Sequence, residues 1–581
     1  MTKYRPSSQQ TEVRAGAEKL SNTTTSYQFH KELESPVAFV RREWKALAVF
    51  GGGFVLVLVV AVLAIDPAFF YPRLAADPLL YYLKGLAFAE TGHTAARTAV
   101  NRAPFEYVAL PGVLRAPFIV AFHEFDHQLR AIQLSNIVLL AVTATLYAYV
   151  LSWIVPRRWH WAAIAWSFGF MLLSPDWVSN VFMPLADAPY AAFSIGFLIL
   201  ATRVLCADRP VTSRPFALLY AGILFTLAFL VKFTAPFLTL HAAFLAAGRR
   251  RIHPVRRGAI PVAVGAAAIG VAALVALSWK TLRIRYLYLP FLFLRRASLS
   301  GILENVLVSA LPTQIVPAFN LGFPHQGIND SYHVAFASSP RAIALLAVGL
   351  AISATIFLGM FRFRSWLAPE VAYCLVSISV LMLIIPSAAR YLMPYQPLLW
   401  IFFYGGASLV AAPVVMSLAA TPRARAYGWG LLFLVASALV YARSQRVAGA
   451  SIERSTRIPI GATRGYTSEV ATTFRSLRGF LETLPRNRTL LIGTLGSTGR
   501  WKVISGFDYY RADTALSKAV ESHDTYLMVE CGALETCQDF TAYDLRLHKE
   551  LAKYGVFSDS LVFSKATPHA KARVYRLRNG V

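Results

Sequence analysis

The sequence predicts a polytopic α-helical membrane protein with about eleven transmembrane helices and a small C-terminal α/β domain outside the membrane. Three observations lead there. Of 581 residues 56% are hydrophobic and only 15% charged, more apolar surface than a soluble core of ordinary proportions can hide. The apolar residues fall in runs about as long as a bilayer requires, separated by short arginine clusters. After about residue 443 the chain turns polar, and short β-rich runs alternate with helix-like segments. A net charge of +27 would suggest nucleic acid in a soluble protein, but here the arginines sit between apolar spans, where they orient helices, so no nucleic-acid partner is expected.

Residues 1–40, rich in Ser, Thr and Gln without apolar periodicity, read as a disordered cytoplasmic tail. The run 46–65 lacks a small-residue cleavage pattern and reads as a signal anchor; Arg41, Arg42 and Lys45 before it place the N-terminus inside. Further spans are expected near 131–155, 160–175, 188–205, 259–279, 341–361, 368–386, 392–415 and 427–442. Residues 215–248 are too long for one span, and Arg214 and Arg249–Arg251 both favour the inside, so this segment reads as a hairpin with Lys232 near its outer tip. The domain 41–442 thus carries two large outer loops, 66–130 and 281–340, and the α/β domain 443–581 lies outside. Its strands are expected at "TLLIGT", "TYLMVE", "SLVFSK" and "ARVYRL", with helices near 513–520 and 541–553. Cys531 and Cys537 could bridge there or remain two thiols, while Cys206 and Cys374 sit in or beside apolar runs.

Acidic residues avoid the middles of spans and collect at their outer mouths, a pattern that points to chemistry at a membrane face. Asp66 and Asp77 follow the first span, Glu106 and "HEFDH" (123–127) lie in the first loop, and Asp176 and Asp187 flank a short turn between the third and fourth spans. Asp77, in "ADPLLYYL", suits a general base towards a hydroxyl group; the same spacing also suits an N-cap followed by proline. His123 and His127, one helical turn apart, make with Asp126 a candidate divalent-metal set, which a polar juxtamembrane helix explains equally well. No other cofactor is indicated. Lys84, Lys232, Arg390 and Arg296 form a candidate cation set for a lipid phosphate, Arg390 being equally a snorkelling anchor. "GTLGSTGR" (493–500) lacks the lysine of a phosphate-binding loop and reads as a strand-to-loop turn.

Together "ADPLLYYLKGLAFAETGH", "FEYVALPGVLRAPF" (105–118), "MPLADAPYAAFSIGFLILATR" (183–203), "FLVKFTAPFLTL" (229–240) and "ARYLMPYQPLL" (389–399) resemble, in their order, the GT-C glycosyltransferases that use polyprenyl-phosphate sugars: the protein O-mannosyltransferases and the bacterial aminoarabinose and lipid A core sugar transferases. The resemblance covers roughly residues 45–442. It implies an inverting hexosyl- or pentosyltransferase in a bacterial inner membrane, with a polyprenyl-phosphate sugar donor and a glycan, lipid or protein acceptor. It makes Asp77 the first-loop acid and Asp187 the second acidic position, where glutamate is commoner. Lys232 and Arg390, with Lys84, become the cations of the donor phosphate; Tyr81, Tyr82, Glu106 and Tyr391 become contacts to donor or acceptor. Two rivals differ in class: a lipid-linked substrate transporter or flippase, which predicts related halves with broken helices and ionisable groups at the midplane, and a membrane-anchored envelope assembly or binding protein acting through its tail.

Overall fold

Ser35 fixes where ordered structure begins. Its hydroxyl accepts the Ala38 N–H at 3.0 Å and Pro36 takes the first helical position, so α1 (Pro36–Arg42) is a helix where the sequence pointed to a disordered tail up to residue 40. The computed structural model describes residues 35–92, 110–206, 215–231, 340–363, 394–418 and 464–580, with short breaks inside them.

The first apolar run becomes α2 (Trp44–Ala64), about 32 Å at 1.5 Å per residue. It buries only Phe54, Leu58 and Val62 and leaves Val49, Leu56, Val57, Val60 and Leu63 exposed. An apolar helix with that outer face belongs against lipid. After the first outer loop comes α6 (Phe125–Leu151), preceded there by a 3-10 segment (Pro67–Arg73), α3 (Ala76–Thr91), α4 (Leu110–Val113) and α5 (Ala116–Ala121). At about 40 Å α6 outruns a hydrocarbon core, and its surplus is the polar first turns bearing Asp126, Gln128, Arg130, Gln133 and Asn136. Both α2 and α6 are long and apolar enough to cross a membrane. They run antiparallel: Arg130 donates to the carbonyls of Val62 and Ile65 at one end, while at the other Phe39 meets Tyr149 with ring centroids 5.5 Å apart.

The next expected span, 160–175, is broken. α7 (His160–Leu173) stops at Ser174, and Pro175, which has no N–H to continue the ladder, opens α8 (Pro175–Phe182), so a helix stands where a short turn was expected. Beside it α9 (Asp187–Cys206) and α10 (Pro215–Val231) form a hairpin in which Phe197 meets Phe225 at 5.7 Å. α11 (Pro340–Phe363) and α12 (Gln396–Leu418) cross at Gly359 and Gly406, where a Cβ on either would overlap the backbone of Phe402 or Thr355. Glycines let the two backbones touch, the usual way that helices associate in lipid. The expected spans 259–279, 368–386 and 427–442, the second leg of the 215–248 hairpin and the loop 281–339 lie outside the described residues.

Downstream, α13 (Arg464–Glu482) leads into β1 (Thr489–Ile492), α14 (Leu495–Ser505), β2 (Asp508–Tyr510), α15 (Leu516–Ser522), β3 (Asp524–Cys531), α16 (Phe540–Ala552), β4 (Val556–Ala566) and β5 (Lys571–Asn579). The strands form one sheet in the order β2-β1-β3-β5-β4, parallel through β2-β1-β3 and antiparallel beyond. All four apolar runs singled out above are strands. "GTLGSTGR" is the junction of β1 with α14, a strand-to-helix turn and not a strand-to-loop one. Cys531 is disulfide-bonded at the end of β3; Cys537 lies outside the described residues. Phe474, Leu477, Leu481 and Trp501 of this α/β unit share one continuous apolar cluster with Phe69, Phe70 and Tyr71 of the first loop. The unit is therefore seated on the bundle at the end opposite α1.

The glycine crossing yields a test. Gly406→Leu should destabilise the purified protein by about 1–3 kcal/mol or more through overpacking, read as a fall in Tm. Gly52→Leu, whose Cβ meets open space, should leave Tm unchanged.

Candidate functional site

The mouth of the bundle is built from the junction between α2 and the first loop. Asp66 caps the 3-10 segment, its Oδ1 accepting the Ala68 N–H at 3.0 Å, and its Oδ2 pairs with Arg475 Nη2 of α13 at 2.5 Å. Five residues on, the Tyr71 hydroxyl donates to Asp126 Oδ1 at 2.6 Å and accepts from Arg478 Nη1 at 2.7 Å; Arg478 also lies 3.2 Å from Asp126 Oδ2 and 2.7 Å from Glu482 Oε1. Burial, reinforced by Asp126, pushes the Tyr71 hydroxyl well above the usual tyrosine range, so it remains a neutral donor. Phe125 packs against both Tyr71 at 5.6 Å and Tyr82 at 5.3 Å, and the Tyr82 hydroxyl donates to Gln128 Oε1. Loop and helix are thus locked ring to ring.

α3 begins at Ala76, so Asp77 lies in its first turn and not before it as a cap. Tyr81 and Tyr82 are buried, 5% and 1% exposed, and so sit inside the protein and not in the headgroup layer. Lys84 is half-buried on the same helix. α3 meets α4 at Gly85 and Gly112, where a Cβ on Gly112 would stand 2.7 Å from that of Lys84. Behind this contact the Arg115 guanidinium is buried over the Tyr81 ring at 5.6 Å, and burial draws its pKa down to about 10, still charged at neutral pH.

A second polar layer surrounds the α7/α8 break. Gln133 Nε2 donates to the Phe182 carbonyl at 3.1 Å, Asn136 Nδ2 to that of Val181 at 3.4 Å, and the Ala188 N–H to Asn180 Oδ1 at 3.3 Å. These bonds hold the start of α9, where Asp187 is 4% exposed. One turn along, the Tyr190 hydroxyl lies 3.2 Å from that of Tyr395; the Tyr147 hydroxyl donates to the Pro394 carbonyl, and Ser174 Oγ to Gln396 Oε1 at 3.5 Å. The start of α12 is therefore pinned beside Asp187. Counting six residues on from Phe225 and six back from Phe197 brings Val231 level with Ala191, so the end of α10 arrives there too. Stacking of Phe70 on Phe182 at 5.6 Å joins this layer to the first loop.

Of the residues that the sequence singled out, Asp187 stands in the second layer, while Asp77, Tyr81, Tyr82 and Lys84 share α3 in the first. Lys232, Arg390, Tyr391, Glu106 and Arg296 lie outside the described residues. The metal set is not assembled. α6 starts at Phe125, so His123 precedes the helix and shares no helical face with His127; both histidines are exposed, and Asp126 is engaged by Tyr71 and Arg478. Among the described residues no three His, Cys, Asp or Glu side chains are grouped for a metal. Sequence reasoning missed Tyr71, Arg475, Arg478 and Trp501. The one trace of the two arginines was their spacing at i and i+3, with Glu482 four residues after Arg478, on an amphipathic helix.

No protein-family model matches the chain, and no curated protein matches it. Solved structures that are similar include two transferases. The archaeal oligosaccharyltransferase AglB from Archaeoglobus fulgidus, in complex with an inhibitory peptide and a dolichol-phosphate, is 11% identical with a TM-score of 0.48, the match covering 92% of this chain and 74% of that one. ArnT from Cupriavidus metallidurans, bound to undecaprenyl phosphate, is 12% identical with a TM-score of 0.47, covering 90% of this chain and 98% of that one. Similarity of that degree assigns no activity to this chain.

The seating of the α/β unit includes a buried acid with a readable consequence. Trp501, fully buried and edge-on to Tyr71 at 6.1 Å, donates from Nε1 to Glu530 Oε2 at 3.1 Å, and Arg500 Nη1 lies 3.3 Å from Oε1. Burial raises the Glu530 pKa, with Arg500 and the Trp501 bond opposing it. A raised carboxyl binds its proton more tightly when folded, so its stabilisation is full below its ordinary value of 4.5 and is lost as pH rises through the raised one. Glu530→Gln keeps an acceptor for Trp501 and should flatten the decline of Tm with rising pH above about 4.5; an unchanged slope would assign that decline to other groups.

Proposed function

We propose that the chain is an integral membrane glycosyltransferase, taking a sugar from a polyprenyl-phosphate donor and passing it to an acceptor hydroxyl group at the outer mouth of the bundle. One observation carries this reading: the start of α9 with Asp187 lies against the start of α12, the helix that follows Arg390, and the end of α10, which leads to Lys232, comes level with it in one polar layer inside the bundle. On this reading two carboxylates, Asp77 and Asp187, and two cations, Lys232 and Arg390, come from four distant stretches of sequence to serve one site. A lipid-linked phosphate ester is the substrate class that needs both charge and an apolar flank.

The chemistry follows from those residue types. Breaking the glycosidic bond leaves negative charge on the lipid phosphate, which Lys232, Arg390 and Lys84 stabilise as it develops. Asp77 takes the acceptor proton on the opposite face of the sugar, which inverts the anomeric carbon; Asp187, buried at its helix start, orients the acceptor or shares that work. The acceptor is a glycan, lipid or protein, and the unit after residue 443 stands over the mouth on the side from which it arrives. N-terminus inside and α/β unit outside is the topology this requires.

The test is a panel of purified variants given polyprenyl-phosphate sugars, with released lipid phosphate as the readout. Asp77→Asn should lose on the order of 10² to 10⁴ in rate with little change in Tm. Arg390→Ala and Lys232→Ala should lose most turnover because each removes a cation worth several kcal/mol in a dry site. Near-normal turnover in Asp77→Asn, with the Asp77→Asn/Asp187→Asn double no worse than Asp187→Asn alone, would reject the mechanism. Absence of lipid phosphate from wild-type protein across the panel would reject the donor class.

A further inference from the structure

The α/β unit touches the first loop through charge as well as apolar contact, and the contacts are not scattered. Arg475 and Arg478, one turn apart on α13, both reach the segment between α2 and α3, one through Asp66 and the other through Tyr71, and Arg478 also reaches Asp126 of α6. The two acids are the residue that caps the 3-10 segment and a residue in the first turn of α6, and Tyr71 lies between them. Trp501 closes the same point from α14. Pairs this exposed give little stability when isolated, the Arg475 side chain being 68% exposed. Arg478 is different, because its side chain is 20% exposed and one guanidinium satisfies a phenol and two carboxylates.

We propose that Arg478 is a positioning residue of the active mouth, acting from the α/β unit through Tyr71 and Asp126 to hold α3 in register with α6. The inference rests on the transferase reading for the activity it serves, not for the contact itself. The path is short. Arg478 orients the Tyr71 hydroxyl and the Asp126 carboxylate; Phe125, next to Asp126, is clamped between the rings of Tyr71 and Tyr82; Tyr82 belongs to α3 and is bonded to Gln128, one turn further along α6. Asp77 is five residues before Tyr82 on that helix. A small tilt of α3 displaces its first turn, and misplacing a reacting group by about 1 Å costs up to about 100-fold in rate. Removing the arginine leaves the Tyr71–Asp126 bond but takes away the cation that fixes it to the α/β unit.

The experiment uses full-length protein in detergent or nanodiscs and compares wild type, Arg478→Ala, Arg478→Lys and Arg478→Ala combined with Tyr71→Phe. Hydrogen exchange of peptides covering 67–91 is the first readout and needs no substrate. Arg478→Ala should raise exchange there about tenfold while peptides from α2 and β3 stay as in wild type. Arg478→Lys, which keeps the ion pair without the forked contact, should fall between, and adding Tyr71→Phe to Arg478→Ala should raise exchange in 67–91 further, because it also removes the Tyr71–Asp126 bond that the single variant keeps. Lipid-phosphate release is the second readout: Arg478→Ala should lower kcat by roughly 10- to 100-fold with KM for the donor nearly constant. Unchanged exchange in 67–91 overturns the proposal, as does a rise spread evenly over the whole chain. If the wild type releases no lipid phosphate, the transferase reading fails while the exchange result still decides whether Arg478 positions α3.

Discussion

The Tyr71 hydroxyl is the point on which the described structure turns. It sits where the first membrane helix has just ended, and it joins α6 through Asp126 to the α/β unit through Arg478. Three bodies with nothing in common in sequence share one buried phenol. Leaving any of its partners unmatched in so dry a place costs the desolvation of that group, about 1–3 kcal/mol for a neutral one and more for a charge. The mouth is therefore satisfied as a set, and the apolar cluster that runs from Phe69 and Tyr71 to Phe474 and Trp501 makes the set difficult to open.

A second constraint acts deeper. Helices in lipid must satisfy every backbone group themselves, so a break such as that at Pro175 is tolerated only where side chains replace the lost bonds. At the far end of α8, which that break begins, Gln133 and Asn136 donate to the last carbonyls, those of Phe182 and Val181, while Ser174 and Tyr147 reach the start of α12. The polar residues of α6 thus have a structural duty that also makes a hydrophilic floor. Asp187, 4% exposed, heads an otherwise apolar helix whose next residue, Ala188, donates its N–H to Asn180 beside that floor.

Much of this was legible in the sequence. Apolar runs and arginine clusters located α2, α6, α9, α10, α11 and α12 to within a few residues, because span length and flanking charge are local properties. The strands of the α/β unit followed from β-branched and aromatic runs in the same way. What failed was non-local or depended on a single residue. Ser35 with Pro36 made a helix where composition suggested a tail, and Pro175 converted an expected turn into α8. The histidine pair looked like one helical face only until the helix began two residues late, at Phe125. The contacts of Arg478 join residues more than 350 apart in sequence, and no periodicity or motif announces such a pair.

Whether a lipid-linked sugar reacts at this mouth is most directly tested by photo-crosslinking a polyprenyl-phosphate sugar analogue, with the photoreactive group beside the phosphate, to wild-type protein and mapping the labelled peptides. The account predicts labels confined to α3, the start of α9 and the stretches holding Lys232 and Arg390, all competed by unlabelled polyprenyl phosphate. Labels concentrated instead at the opposite end of the bundle, around α1 and His160, or spread without competition, would contradict it.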